Sequence, residues 1–329
     1  MTDALERENY IPRIVVIGGG TGLSVMLRGL KHKPMDITAV VTVADDGGSS
    51  GILRSELEII PPGDIRNVLT ALADVEPLLG KLLEYRFDKG NGLAGHSLGN
   101  LMLAAMRDIT GDFVTGVREL SRVLAVRGRV LPAADEAIVL RAEMMDGHVV
   151  EGESKIPKAG GVIRRVMIEP RDVKALPEAV EALKTADAIL VGPGSLYTSI
   201  MPNLLVPEIA ETIVKSKALK MFICNVMTQP GETDDYKVSD HLKAIRDHVG
   251  HALFDYVIVN NGVIPDPVKR KYADKGAEVV PLDLDAVTQE GYKVIADKLV
   301  LFQTYLRHDA EKLSQHIYQL VESWMFKKR

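Results

Sequence analysis

Cysteine is almost missing from this chain. Cys224 stands alone among 329 residues, which excludes an internal disulfide framework and a cysteine-rich zinc site and fits a reducing compartment. A cationic surplus is missing too: 40 Lys+Arg face 45 Asp+Glu, a formal net charge of −5, so nucleic acid is not an expected partner. No apolar run reaches the roughly 20 uninterrupted residues of a membrane helix. The longest, around Ile189 to Val206, is broken by Gly192, Pro193, Gly194 and Pro202. Met1 to Tyr10 carries three acidic residues and no cationic stretch leading into an apolar one, so secretory targeting is not expected and the cytoplasm is the expected compartment. What is present, 46% apolar and 26% charged residues, is the composition of an ordinary globular protein with length enough for a sizeable core.

Ile14-Val15-Val16-Ile17 is a β-branched run that stops at Gly18-Gly19-Gly20, and Leu23 to Lys31 follows with helical spacing. A second such run, Ile37 to Val43, ends in Ala44-Asp45-Asp46-Gly47-Gly48-Ser49-Ser50, giving strand, helix, parallel strand. From Asp64 to about Ala125 the pattern is helical, with Asp64, Ser97 and Asp112 as expected N-caps. Between Arg129 and Ile168 short alternating runs on either side of Asp146-Gly147 suggest an antiparallel excursion. The alternation of helix and strand then resumes: helix from Pro177 to Lys184, strands at Ala188 to Val191, Leu219 to Cys224 and Tyr256 to Val259, and a last helix from Asp309 to about Phe326. The expected architecture is α/β: a Rossmann-like, mostly parallel doubly wound sheet over residues 1–308, with a helical and antiparallel insertion at about 64–168 and a C-terminal helix, 309–329, packed on it.

In such sheets ligands lie outside the carboxyl ends of the strands, and there this sequence gathers its glycines and small polar residues. Gly18-Gly19-Gly20-Thr21-Gly22 lets backbone approach an anion at the start of a helix. The dinucleotide fingerprint is incomplete, since Leu23 stands where the third glycine belongs, and no Lys-Ser/Thr pair makes a Walker A loop; a plain tight turn is the competing reading. Asp45 and Asp46 suit ribose hydroxyls, a magnesium ion beside a phosphate, or a solvated Asx turn. Gly192-Pro193-Gly194-Ser195, with Thr198, repeats the strand, glycine turn, helix arrangement and offers a second anion or sugar-hydroxyl cradle, or a simple connector.

Gly95-His96-Ser97-Leu98-Gly99 matches the G-x-S-x-G of serine hydrolases, but the preceding Arg86 to Ala94 is polar and glycine-broken where that motif needs a buried strand. Ser97 is better read as a helix cap, with His96 and Asn100 turned toward the same crevice. His248 and His251 lack the frame of a metal site, and Cys224 among Met221, Phe222 and Ile223 reads as a small buried hydrophobe. The Lys269-Arg270-Lys271 run reads as a solvated face. Tyr272 and Arg307 are candidates for stacking on a base and pairing with a diphosphate.

The segments from Ile14 to Gly22, Val43 to Gly51 and Pro62-Gly63-Asp64-Ile65-Arg66-Asn67 resemble the bacterial gluconeogenesis factor family. Gly95 to Leu101, Gly192 to Ser199, Cys224 to Thr233 and Val259-Asn260-Asn261-Gly262 extend the resemblance over nearly the whole chain. That family is similar to the 2-phospho-L-lactate transferases, which share a Rossmann-like sheet and act on a nucleotide-activated substrate. The resemblance implies a nucleotide pocket, binding of UDP-N-acetylglucosamine, and a role in cell shape and wall growth on gluconeogenic carbon sources, with cell-wall synthesis proteins as partners and an oligomer as an expected form.

The leading expectation is a nucleotide-sugar-binding regulatory factor. Its ligand-binding set is Gly18, Gly19, Gly20, Thr21, Gly22, Asp45, Asp46, Asn67, Ser97, Asn100, Gly192, Gly194, Ser195, Thr198, Asn225, Asn260, Tyr272 and Arg307, with NAD as a second candidate occupant. The competing expectation is a transferase in which Mg²⁺ on Asp45 or Asp46 neutralises a diphosphate leaving group while Asp64 or His96 handles a proton.

Overall fold

The computed structural model describes residues 10–302 and 306–328. Its strands are β1 (Arg13–Gly18), β2 (Asp36–Val41), β3 (Arg129–Pro132), β4 (Val139–Met144), β5 (Val149–Glu151), β6 (Ile163–Glu169), β7 (Ala188–Val191), β8 (Leu219–Ile223), β9 (Tyr256–Asn260), β10 (Lys293–Asp297), β11 (Val300–Phe302) and β12 (Leu306–His308). Seven of them form one parallel sheet in the order β10-β9-β8-β7-β1-β2-β3. The chain therefore lays β1, β2 and β3 outward to one side, crosses back, and lays β7 to β10 outward to the other. The order reverses between β1 and β7, which pair from Ile14↔Ala188 to Ile17↔Val191, and a crevice opens where their following segments part to opposite faces.

The strands nearest this switch point are buried along their length, as expected of a parallel sheet covered on both faces. Helix α1 (Gly20–Leu30) follows β1 directly and buries Leu23, Met26, Leu27 and Leu30 against the sheet, the 3-4 spacing of an amphipathic stripe. Helices α2 (Gly48–Leu57), α3 (Gly63–Leu72), α4 (Pro77–Glu84), α5 (Leu98–Thr110) and α6 (Phe113–Val123) fill the long connection from β2 to β3. Ser97 and Asp112 cap α5 and α6, accepting from Asn100 N and Thr115 N. Asp64 lies inside α3 instead, because Pro62 takes the cap position.

The antiparallel excursion is a three-stranded sheet ordered β5-β4-β6. The expected span, Arg129 to Ile168, starts too early: β3 pairs parallel with β2 and forms one edge of the main sheet. Strand β10 at the other edge, parallel to β9, and the β11–β12 ribbon had no counterpart in the sequence reading. Helices α7 (Pro177–Thr185), α8 (Pro207–Lys215), α9 (Val238–Val249), α10 (Asp266–Ala273), α11 (Leu284–Gln289) and α12 (Ala310–Lys328) complete the layers. Asp309 caps α12 through Lys312 N at 3.1 Å. The helix buries Leu313, Ile317 and Val321 and comes so close to α1 that a Cβ on Gly29 would lie 2.2 Å from the Ala310 carbonyl oxygen.

Candidate functional site

A cavity of about 520 Å³ opens at the switch point, lined by Gly19 to Gly22 on one side and Pro193, Gly194, Ser195 and Ser199 on the other. Asn225 to Gln229, after β8, close its floor, and Tyr272, Leu306, Arg307 and His308 close its outer wall. The first glycine turn and the second thus share one hollow, with Tyr272 and Arg307 facing them. The Tyr272 hydroxyl accepts from Leu306 N at 2.8 Å, which fixes the ring as a wall for a planar group. Arg307 is exposed and forms no ion pair among the described residues, leaving its guanidinium available to an anion.

The two glycine turns touch. A Cβ on Gly22 would stand 2.9 Å from the Pro193 carbonyl oxygen, and one on Gly194 would stand 3.3 Å from that of Gly19. Gly20 has φ +67°, the left-handed region where a side chain is strained. Helix α1 begins here with Gly19 as N-cap, no side-chain capping bond and no acidic residue in its first turn. The Thr21 and Gly22 N–H groups therefore stay available at the positive end of the helix dipole.

Other expected site residues are placed differently. Asn225 lines the cavity, but its side chain clamps the second turn, accepting from Gly194 N at 3.1 Å and donating to Gly194 O at 2.7 Å. Thr198 is buried and donates from Oγ1 to Glu232 at 3.1 Å. Asn260 holds the end of β9, accepting from Gly262 N and Leu299 N. Gly18 and Gly192 shape the turns without lining the cavity; Gly192 N donates to Ile17 O at 3.0 Å.

Asp45, Asp46, Asn67, His96, Ser97 and Asn100 gather behind the first turn. Asp45 accepts from Gly47 N at 2.9 Å, and Asp46 from Ser154 N at 2.8 Å. His96 Nδ1 lies 3.0 Å from Ser49 Oγ, to which Asn100 Nδ2 donates at 3.1 Å. Asn67 accepts from Arg66 at 2.5 Å and hydrogen-bonds Asp64. The Asp64 carboxylate accepts from Gly20 N–H, so this crevice touches the first turn from behind; burial, then the nearby Asp45 charge, push its pKa up to about 7. Burial followed by the charges of Asp45, Asp64, Asp46 and Glu232 pushes Glu153 to about 8. Among the described residues, no group of three or more His, Cys, Asp or Glu side chains converges as a metal-ligand set.

The hydrolase motif fails structurally. Ser97 caps α5 and sits in an isolated antiparallel bridge with Arg86, with no strand-to-helix elbow. Cys224 is buried, and burial pushes its thiol up to about 12, which makes it a packing residue. His248 bonds backbone at both ring nitrogens, Val166 N at 2.9 Å and Ala244 O at 2.7 Å. Glu153, Glu232, Gln229 and His308 were missed as site residues. Glu232 lay within a quoted motif without a role, whereas Glu153 belongs to the antiparallel insertion and carries no local signal.

The family model described as 2-phospho-L-lactate transferase CofD matches residues 14–300. The chain is 56% identical over 312 residues to the gluconeogenesis factor of Bacillus subtilis (strain 168), covering 94% of this chain and 98% of that protein. It is 59% identical over 305 residues to the gluconeogenesis factor of Halalkalibacterium halodurans, covering 92% and 95%. The crystal structure of protein BH3568 from Bacillus halodurans superposes with a TM-score of 0.92 at 58% identity, covering 94% of this chain and 99% of that one. With a doubly wound sheet, the glycine turns at its switch point and matches of this extent, the chain belongs to the gluconeogenesis factor family, within the wider 2-phospho-L-lactate transferase CofD family.

Proposed function

We propose that the switch-point cavity binds a nucleotide sugar of the UDP-N-acetylglucosamine class, and that the protein is a cytoplasmic regulatory factor for cell shape and wall growth under gluconeogenic conditions. The observation that carries the binding reading is the single hollow enclosed by the first glycine turn, the Ser195 turn, Tyr272 and Arg307. Its volume of about 520 Å³ lies within the roughly 300–1,000 Å³ of small-molecule sites. The phosphates face the Thr21 and Gly22 amides and Arg307, and the base stacks on Tyr272. The sugar hydroxyls meet Ser195 and Ser199. The regulatory role follows from family membership and from resemblance. Calorimetric titration with UDP-N-acetylglucosamine, UDP, GDP and NAD tests the reading: saturable binding of the UDP compounds is expected, and folded protein that binds none of the four defeats it.

A second reading, transfer of a phospho group from a nucleotide-activated donor, is favoured by Asp64, bonded to the first turn, and by Glu153, which feels its charge, both raised toward neutral pKa. Such carboxyls suit general acid–base work at neutral pH. In this reading Asp45 or Asp46 would hold a magnesium ion that neutralises the donor's diphosphate, one or two carboxylates being enough beside phosphate oxygens. Turnover discriminates: product formed from a nucleotide-activated donor and suppressed in Asp64→Asn supports transfer, whereas donors recovered intact support binding alone.

A further inference from the structure

A glycine turn opening a helix holds an anion through the first-turn N–H groups; the first turn here opens α1, whereas the turn after β7 opens a short π-helical segment, Leu196–Ile200, and the two differ in how many N–H groups remain free. After β7, Tyr197 N and Thr198 N donate to one oxygen of Glu232 at 3.1 and 3.2 Å, and Thr198 Oγ1 donates to the other at 3.1 Å. Glu232 is only 4% exposed. A carboxylate of the chain thus occupies the place an anionic ligand would take. At α1, among the described residues, the one comparable bond is from Gly20 N–H to Asp64, and Thr21 and Gly22 face the cavity. Ser195 and Ser199, either side of the occupied turn, also line the cavity and offer hydroxyls in place of charge.

We propose that Glu232 is a resident anion that reserves the turn after β7, so that the phosphates of a bound nucleotide are confined to the Thr21 and Gly22 amides and the Ser195 face receives the uncharged, hydroxyl-bearing end. This rests on the nucleotide reading and gives it a direction: the ligand lies one way round in the cavity. Glu232 acts through the turn it holds and is a positioning residue. The titratable groups that interact with it are Asp234 beside it, Glu153 and the Tyr197 hydroxyl. Burial lifts Glu232 to about 7, so its charge weakens below neutrality.

The test is calorimetric titration of UDP-N-acetylglucosamine, whose diphosphate does not titrate in this window, into the wild type, Glu232→Gln and Thr198→Ala at about pH 6 and about pH 8.5. The amide oxygen of Glu232→Gln still accepts from Tyr197 and Thr198, so the turn persists while the charge goes. At the alkaline pH this variant is expected to bind roughly three- to tenfold more tightly than the wild type, with the gap closing at the acid pH. Thr198→Ala removes one of the three bonds to Glu232 and leaves its charge in place, so the alkaline gain expected of Glu232→Gln is not expected of it. Wild-type protein that binds while folded Glu232→Gln binds equally or more weakly at alkaline pH overturns the proposal. A loss of about tenfold or more in Thr198→Ala overturns it as well, and decides the matter if Glu232→Gln does not fold. Absence of binding in every folded protein removes the nucleotide reading and this inference together.

Discussion

A Cβ on Gly22 would stand 2.9 Å from the Pro193 carbonyl oxygen and 3.1 Å from its carbon, so this residue sets the separation of the two glycine turns. Both opposing atoms are backbone, and the turns can only move apart. Gly22→Ala is therefore expected to cost about 1–3 kcal/mol in stability, as overpacking does. It should weaken nucleotide-sugar binding more than tenfold, because a shift of about 1 Å misplaces the donors. Thermal denaturation and calorimetry read the two effects separately; a variant with wild-type affinity would show that the turns need not touch.

At the scale of elements, the sequence signals were clearest where structure is locally determined. β1 and β7 are short β-branched or aliphatic runs cut off by glycine, and the caps Ser97 and Asp112 bond N–H groups three residues on. The misplaced element was β3, whose four residues carry no mark of which strand they pair with. Strand β10 escaped for a related reason: an edge strand is covered on one side only, and its exposed and half-buried positions do not read as a core run. The rear crevice was legible only in pieces, since Asp64 reaches Gly20 and Asp46 reaches Ser154 through tertiary packing. Helix α12 was legible as an amphipathic helix, and its docking can be weighed. Ile317 is fully buried, one turn from Leu313 and Val321. Ile317→Ala is expected to cost about 2–5 kcal/mol, measured by denaturant unfolding. A cost under about 0.5 kcal/mol would mean that α12 contributes little to the cooperative core.

Across the molecule, buried acids set how stability varies with pH. Asp64 and Glu232 are raised to about 7 and Glu153 to about 8, above the ordinary carboxylate range of about 4. The folded state therefore holds protons the unfolded state has released, and stability from these groups is lost as pH rises through 7 to 8. His241, His248 and His308 are lowered by burial. Their contribution is present above about 6.5 and lost as pH falls below it. Between about pH 6.5 and 8.5 the carboxyls outweigh the fading histidine contribution, so the thermal midpoint is expected to fall across that window. Glu153→Gln should flatten the fall. A midpoint that rises with pH there, or a variant as steep as wild type, would contradict this.

The most direct measurement is a crystal structure of the protein grown with UDP-N-acetylglucosamine. The diphosphate should lie within hydrogen-bond distance of the Thr21 and Gly22 amides, with the base against Tyr272 and Arg307 reaching a phosphate. A nucleotide bound outside the hollow between Gly19 to Gly22 and Gly194 to Ser199, or none bound at saturating concentration, would contradict the account.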